Sequence, residues 1–508
     1  MKILTTSQIR EADAYTIKHE PISSIDLMER AANACVEWIA GRYSDLNVFY
    51  FFCGTGNNGG DGLAIARILN TAKYYKIKVF VIRHNDKTSP DFSINHERLN
   101  KSKNIDLIDI SVSNELPEIT SDIIVIDALL GTGLSKLLSG LLSDTVENIN
   151  KSNASVISID IPTGLYAEDN SSNRGKVICA DYTLTFELPK LAFLFPENAP
   201  FVGEWQVLPI GLSTEFIAQT TTNYHYLTEE NILPLLKKRD KFSHKGTYGH
   251  ALIIAGSKGK MGAAVLAVKS ALRAGAGLVS AHIPNCGYTV LQSTVPEAMC
   301  ETDVNETHIS GRIKTGNCNA VAVGPGIGND ADTVRALKLM IQDTTVNTVF
   351  DADALNIIAE NKTWFPFIRG GSILTPHPKE FERLFGKSDN SFERLKLQRE
   401  MAMNYGFYIV LKGAHTSIAF PDGSVYFNST GNSGMATGGS GDVLTGIICG
   451  LLAQGYKPYE ASVLGVYLHG VAGDIAAEKM SEEGMTAMDI IEGMGETWKA
   501  IWKKSSAT

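Results

Sequence analysis

A chain of 508 residues, 44% hydrophobic and 20% charged, is too long for one ordinary core and describes two or three well-packed globular domains. Its formal net charge of -9 excludes a nucleic-acid protein that works by broad phosphate neutralisation, so an anionic ligand must be held locally. Seven cysteines with no C-x-x-C pair give neither a zinc knuckle nor a disulfide framework and point to a reducing cytoplasm; the N-terminus turns polar after Leu4, and no apolar run is long enough to span a bilayer.

In chain order, apolar runs at 48–52, 77–82, 123–126, 156–161 and 182–186 alternate with helix-like segments such as 63–70, the pattern of a parallel, doubly wound sheet. Three of these strands run into glycine-rich or acidic loops: CGTGNNGGDG (53–62), DALLGTG (127–133) and DIPTG (160–164). Ligands of open parallel sheets bind beyond the carboxyl ends of strands, so these loops form one crevice. Gly59, Gly60, Gly131 and Gly133 would let backbone approach a phosphate-bearing ligand, and Asn58, Asp127 and Thr163 offer hard oxygens suited to a cation. GTGNNG resembles G-x-G-x-x-G, but the acid an ordinary dinucleotide fingerprint carries on the next strand end is missing.

A polar stretch, 213–223, a short segment, 229–238, and the basic string KKRDKFSHKG follow, which puts a boundary near residue 220 and domains at 1–220 and 221–508. A second α/β series has strands at 251–254, 278–283, 320–323, 348–350, 373–374 and 408–411, with helices between them. No solenoid repeat is visible, and low-complexity sequence is confined to the final KKSSAT. Lys258 and Lys260 in GSKGKMG miss the Walker A spacing. Asp351 and Asp353 end a strand and either border a cleft or cap a helix.

The most informative string is TGNSGMATGGSGDVLTG, 430–446. Gly438, Gly439 and Gly441 allow unusual φ/ψ values and can present backbone N–H groups to an anion. Apolar residues from Val443 recur at helical spacing, so the turn should sit at a helix N-terminus that favours phosphate. Asp442 beside it repels an anion unless it takes a proton from an attacking hydroxyl; the plain alternative is that it caps the helix.

GNNGGDG, DALLGTGL, DIPTGL and ADYTLTFELPK together resemble the YjeF N-terminal domain family, whose enzymes epimerise hydrated NADH and NADPH. KFSHKGTYGHALIIAGSKGKMGAA, AVGPGIG, DADALN, TPHPKEFERL, LKGAHT and 430–446 resemble the ADP-dependent NAD(P)H-hydrate dehydratases. Together the two halves resemble the fused NAD(P)H-hydrate repair family. The resemblance implies an N-terminal Rossmann-like doubly wound sheet followed by a ribokinase-like α/β domain.

It also implies site residues. In the first half these are a potassium ion on Asn58, Asp127 and Thr163; substrate contacts from Asn57, Asn58, Gly59, Gly60 and Asp61, from Gly131, Thr132, Gly133, Leu134, Ser135 and Lys136, and from Asp160; and Asp160 as proton acceptor or, alternatively, only a ribose contact. In the second half the hydrate would meet Gly326, Asp442 and the stretch His377, Pro378, Lys379, Glu380, Phe381, Glu382 and Arg383, with Glu380 polarising Mg2+ through water. Nucleotide would meet Lys412, Gly413, Ala414, His415 and Thr416, then Asn432, Ser433, Gly434, Met435, Ala436, Thr437, Gly438, Gly439, Ser440 and Gly441; His415 by itself reads as structural.

The implied chemistry has Asp442 deprotonate the hydroxyl of the S hydrate, ADP give up a phosphoryl group with release of AMP, and elimination of phosphate restore NADH or NADPH. The first half interconverts the R and S hydrates. ADP or ATP and the hydrates are the expected partners, with neither nucleic acid nor membrane, in a homo-oligomer. The rival is a vitamin-type kinase of the same fold with a non-catalytic N-terminal binding module.

Overall fold

The computed structural model describes residues 1–72, 75–102 and 104–505; the last three residues of the KKSSAT tract lie outside these. The chain divides into two compact units, Lys2–Thr222 with Asn390–Phe392, and Met1 with Asn223–Asp389 and Glu393–Thr508.

The first unit is built on a parallel sheet whose spatial order is Ile105–Ile110, Lys76–Ile82, Val48–Cys53, Ile123–Ala128, Ser155–Ile159, Tyr182–Phe186, Glu204–Leu208. Helices on both faces explain why VFYFFC and IIVIDA read as continuous apolar runs: Phe49, Phe51, Phe52, Val125 and Ile126 are all buried. The order reverses between Val48–Cys53 and Ile123–Ala128, and a crevice opens beyond the carboxyl ends of strands at such a reversal. Ile105–Ile110 and Glu204–Leu208 were not foreseen, because as edge strands they are only half-buried and carry charged residues.

GNNGGDG is not a loop. The helix expected from Leu63 begins at Asn57 and runs to Ala72, so the string forms its opening turns. Gly59 is what allows this, since a Cβ there would lie 1.8 Å from the Gly54 carbonyl oxygen at the strand end. Gly59→Ala is expected to destabilise this unit by about 3 kcal/mol, the upper end of the usual overpacking cost, read as an earlier midpoint in urea unfolding. The polar stretch before residue 223 is also partly helical: Thr214–Gln219 is capped by Ser213, whose side chain accepts from Phe216 N–H.

In the second unit Met299–Thr302, Leu278–Ile283, His250–Ile254, Ala320–Val323, Thr348–Phe350, Ile373–Leu374 and Tyr408–Leu411 lie side by side and parallel. Ser417–Ala419 and Val425–Phe427 continue the sheet antiparallel, and Tyr224–Tyr226 pairs parallel with the latter. These last three strands and Met299–Thr302 are too short to show a period, and none was anticipated. Here the order reverses between His250–Ile254 and Ala320–Val323.

Helix Ser440–Ala453 is buried on almost every face, consistent with its apolar composition all round. It packs against helix Met261–Arg273, and the crossing is close because Gly446 and Gly450 carry no side chain. A Cβ on Gly446 would lie 2.1 Å from Ala267 O, and one on Gly450 would lie 2.6 Å from Ala271 O. That contact fixes the helix N-terminus, where Asp442 sits. Among the described residues no helix is long and apolar enough to cross a membrane.

Candidate active sites

At the reversal point of the first sheet lies a cavity of about 820 Å³. Asn57, Asn58, Asp61, the whole run Gly131–Lys136 and Asp160 line it. Gly59 and Gly60 do not: they face the strand end and Met28, so their missing side chains serve packing rather than ligand approach. Gly131 does serve the site, because a Cβ there would lie 3.0 Å from Asn58 Nδ2 and 3.1 Å from Asp160 Oδ2.

Asp160 directly follows strand Ser155–Ile159 and holds φ at 68°, a region that non-glycine residues rarely adopt. Its carboxylate accepts from Thr132 N–H at 3.3 Å and pairs with the Lys190 ammonium at 3.0 Å. Lys190, almost wholly buried at 1% side-chain exposure, also donates to Thr185 Oγ1 at 2.8 Å. Lys190 was missed as a site residue, although a lysine inside the apolar string FELPKLAF is a signal, since such a charge is rarely buried without a partner. Arg10 and Asp13, from helix Thr6–His19, line the cavity too and had no motif to mark them. Asp61 is pushed well up from the usual carboxyl range, first by burial and then by Asp160, Asp13 and Asp91.

Beneath the cavity Asp127 is fully buried. Its carboxylate accepts from Thr163 Oγ1 at 2.7 Å, Thr163 N–H at 2.9 Å and Ser158 Oγ at 2.8 Å, while burial pushes its pKa up. Asn58 donates through Nδ2 to Ile159 O at 2.9 Å, yet its buried Oδ1 has no hydrogen-bond partner. The orphaned Asn58 amide oxygen and the buried Asp127 carboxylate, which has no counter-charge among its hydrogen-bond partners, are oxygens that a small cation would satisfy, so this donor set fits a monovalent or divalent ion bound through oxygen.

In the second unit the residues collect at the carboxyl ends of consecutive strands. Lys412 follows Tyr408–Leu411, and its ammonium lies 2.9 Å from Asp351 Oδ1 and 3.9 Å from Glu380 Oε2. Burial works against its charge, but Asp351 and Glu380 hold its pKa above the usual value. Asp351 occupies a helix N-cap position without making a cap bond; its other oxygen accepts from Thr445 Oγ1 at 2.7 Å. A Cβ on Gly441 would lie 3.3 Å from the Lys412 ammonium and 3.8 Å from Asp351 Oδ2, so the start of helix Ser440–Ala453 abuts this pair.

Of the three glycines expected to take unusual conformations, only Gly439 does, with φ at 93°, as the N-cap of that helix. Asp442 lies in the first turn and is not its cap. Burial first, then Asp351, pushes its carboxyl up to about 7, against the pull of Lys412. A carboxylate of that strength is matched to proton abstraction near neutral pH. His469, unmarked in the sequence, contacts Ser440 Oγ at 3.3 Å, and burial lowers it to about 4, so it stands there uncharged.

The stretch 377–383 opens a helix, Pro378–Phe385. His377 caps Pro378–Phe385 through Nδ1, which accepts from Lys379 and Glu380 N–H, and Glu380 Oε2 accepts from His377 N–H at 2.9 Å in return. Lys379, Glu382 and Arg383 are exposed; Phe381 is buried, its ring tilted at 59° against that of Phe385 with 5.0 Å between centroids. Gly326 holds φ at 64°, with its carbonyl accepting from Ser257 Oγ at 2.7 Å. Asp353 accepts from Gly328 N–H at 2.9 Å and meets Lys260 at 3.3 Å. His415 makes a backbone contact to Asn428 O at 3.2 Å. Asn432 caps the turn Ser433–Met435, and Asp474, another residue the sequence did not mark, holds Gly431 N–H and Asn432 Nδ2, each at 3.0 Å. Gly434 lies against the backbone of Glu482, and Met435 packs on the core. No group of three or more His, Cys, Asp or Glu side chains able to hold a metal occurs among the described residues, so a magnesium ion here would arrive with nucleotide phosphates as most of its ligands.

This is a two-unit α/β chain whose second unit is a ribokinase-like fold carrying an acid in the first turn of a glycine-capped helix. Residues 24–192 match the family model described as YjeF-related protein N-terminus, and residues 251–495 match the one described as NAD(P)H-hydrate dehydratase. Over 97% of its length the chain is 36% identical to a bifunctional NAD(P)H-hydrate repair enzyme of Moorella thermoacetica, of which 96% is covered, and over 99% it is 36% identical to one of Thermofilum pendens, 97% covered. A solved ADP/ATP-dependent NAD(P)H-hydrate dehydratase from Bacillus subtilis, co-crystallised with ATP and Mg2+, is 33% identical and superposes with a TM-score of 0.50, covering 55% of this chain and all of that one. The chain belongs to the family of bifunctional NAD(P)H-hydrate repair enzymes.

Proposed function

We propose that this chain restores hydrated NADH and NADPH: residues 1–220 interconvert the R and S hydrates, and residues 221–508 dehydrate the S form with ADP as phosphoryl donor, releasing AMP and phosphate. The observation that carries the second step is the Asp442 carboxyl, raised to about 7 at the N-terminus of a buried helix beside the Lys412–Asp351 pair. Hydroxide is a poor leaving group and phosphate a good one. Asp442 takes the proton of the ring hydroxyl as its oxygen attacks phosphorus, and the N–H groups from Gly438 to Gly441 and the Lys412 ammonium hold the transferring group; the ring nitrogen lone pair then expels phosphate to form a C=N bond, and the neighbouring ring carbon gives up a proton to the departing phosphate as the C=N pair returns to nitrogen and the dihydropyridine re-forms. Mg2+ bound with the nucleotide would neutralise charge on its phosphates.

Supplying the S hydrate and ADP tests this reading against a vitamin-type kinase: NADH, AMP and inorganic phosphate support it, and a stable organic phosphate contradicts it. Running ATP in parallel decides the donor.

In the first unit Asp160, held by Lys190, is proposed as the proton acceptor, and Asn58, Asp127 and Thr163 as the seat of a potassium ion. The unpartnered Asn58 Oδ1 supports that seat. Interconversion of the hydrates is expected to fall at least about tenfold when K+ is replaced by a bulky organic cation, and Asn58→Ala should abolish the response. Equal rates in the two media would count against the ion.

A further inference from the structure

Inversion at the hydrated ring carbon needs two proton-transfer groups, one for the hydroxyl that leaves and one for the water that returns on the other face, and only Asp160 has been assigned so far. The cavity offers a second. Asp13 lines it from helix Thr6–His19, a different element from the strand end that supplies Asp160. Arg10, one turn earlier on the same helix, points at the 131–136 loop: a Cβ on Gly133 would come within 2.9 Å of its guanidinium. The helix therefore presents this face to the ligand space.

We propose that Asp13 is the second acid–base residue of the first unit, working on one face of the hydrated ring while Asp160 works on the other; the inference rests on reading this unit as the epimerising one. In one direction Asp13 protonates the ring hydroxyl, the C–O bond breaks with its electron pair going to oxygen, and water leaves as the ring nitrogen lone pair forms a C=N bond. Water then adds to the opposite face, the C=N pair returns to nitrogen, and Asp160 accepts the proton. One water leaves and one enters, one proton passes from Asp13 to Asp160, and nothing is oxidised. The reverse direction exchanges the two roles.

Asp160 is ion-paired with the buried Lys190 ammonium at 3.0 Å. Asp13 is raised to about 6, by burial first and by Asp160 next, with Lys190 opposing. Asp61, Asp91, Arg10 and Lys136 are the other charged or titratable groups lining the cavity. Asp13 holds its proton below about pH 6 and loses it above, so the R-to-S rate should fall as pH rises through that value.

The test uses the full chain without nucleotide, in K+, starting from the purified R hydrate and separating R from S by chromatography. Asp13→Asn should slow interconversion by about 10²- to 10⁴-fold and remove the pH limb, while Asp13→Glu should keep a measurable rate with the limb displaced. Asp13→Asn interconverting within about twofold of the unaltered chain overturns the inference alone. Should Asp13→Asn unfold, an unmoved limb in Asp13→Glu overturns it equally. An unaltered chain that leaves the R hydrate untouched overturns the parent reading, and this inference with it.

Discussion

Asp442→Asn is expected to bind ADP normally and to dehydrate the S hydrate about 10²- to 10⁴-fold more slowly, the usual contribution of a positioned general base. In the unaltered chain the rate should rise with pH through about 7, as the Asp442 carboxyl loses its proton, and then level off; the Asn variant should show no such limb. Stability gives an independent reading of the same group. Its folded pKa is raised from 3.8 to about 7, so between those values the native chain binds more protons than the unfolded one and loses stability as pH rises. Replacing Asp442 removes that loss, and the variant should gain thermal stability over the unaltered chain more at pH 8 than at pH 4. Near-normal turnover in Asp442→Asn would remove this residue from the mechanism.

Lys412→Met should be costly for a different reason. The substitution keeps most of the apolar stem but leaves Asp351, whose side chain is 1% exposed, without the cation 2.9 Å from it. Breaking one side of a buried ion pair typically costs about 3–5 kcal/mol, which urea denaturation would read as a large drop in the midpoint for the second unit. Adding Asp351→Asn removes the stranded charge and should recover most of the stability. It should not recover dehydration, since the ammonium proposed to hold the transferring phosphoryl group is still missing. A double variant as active as the unaltered chain would make Lys412 purely structural.

How far the fold could be read in advance depended on burial. Central strands such as Leu278–Ile283 and Ala320–Val323 are buried along nearly their whole length, and their bounds were legible to the residue. Edge strands were not, because Ile105–Ile110 and Met299–Thr302 keep charged residues and half-exposed faces. Glycine misled in two places: GNNGGDG looks like a loop, but its glycines let a helix begin against the strand end, and of Gly438, Gly439 and Gly441 only Gly439 takes a left-handed conformation. Motif-borne residues such as Asn58, Asp127, Thr163 and Asp442 could be picked out because their spacing after a strand or before a helix is local. Asp13, His469 and Asp474 could not, since each meets its site from a distant helix whose sequence carries no mark of that contact.

The two units make chemical sense as a pair. A dehydration that accepts one epimer strands the other, and an interconverting unit on the same chain makes both recoverable. The most direct measurement gives the full chain an equal mixture of R and S hydrated NADH, with ADP, Mg2+ and K+, and follows NADH absorbance to its end point. Recovery of all the NADH, with one AMP and one phosphate formed per molecule, is the predicted result. Recovery of half would contradict an active first unit, and no recovery would contradict the account as a whole.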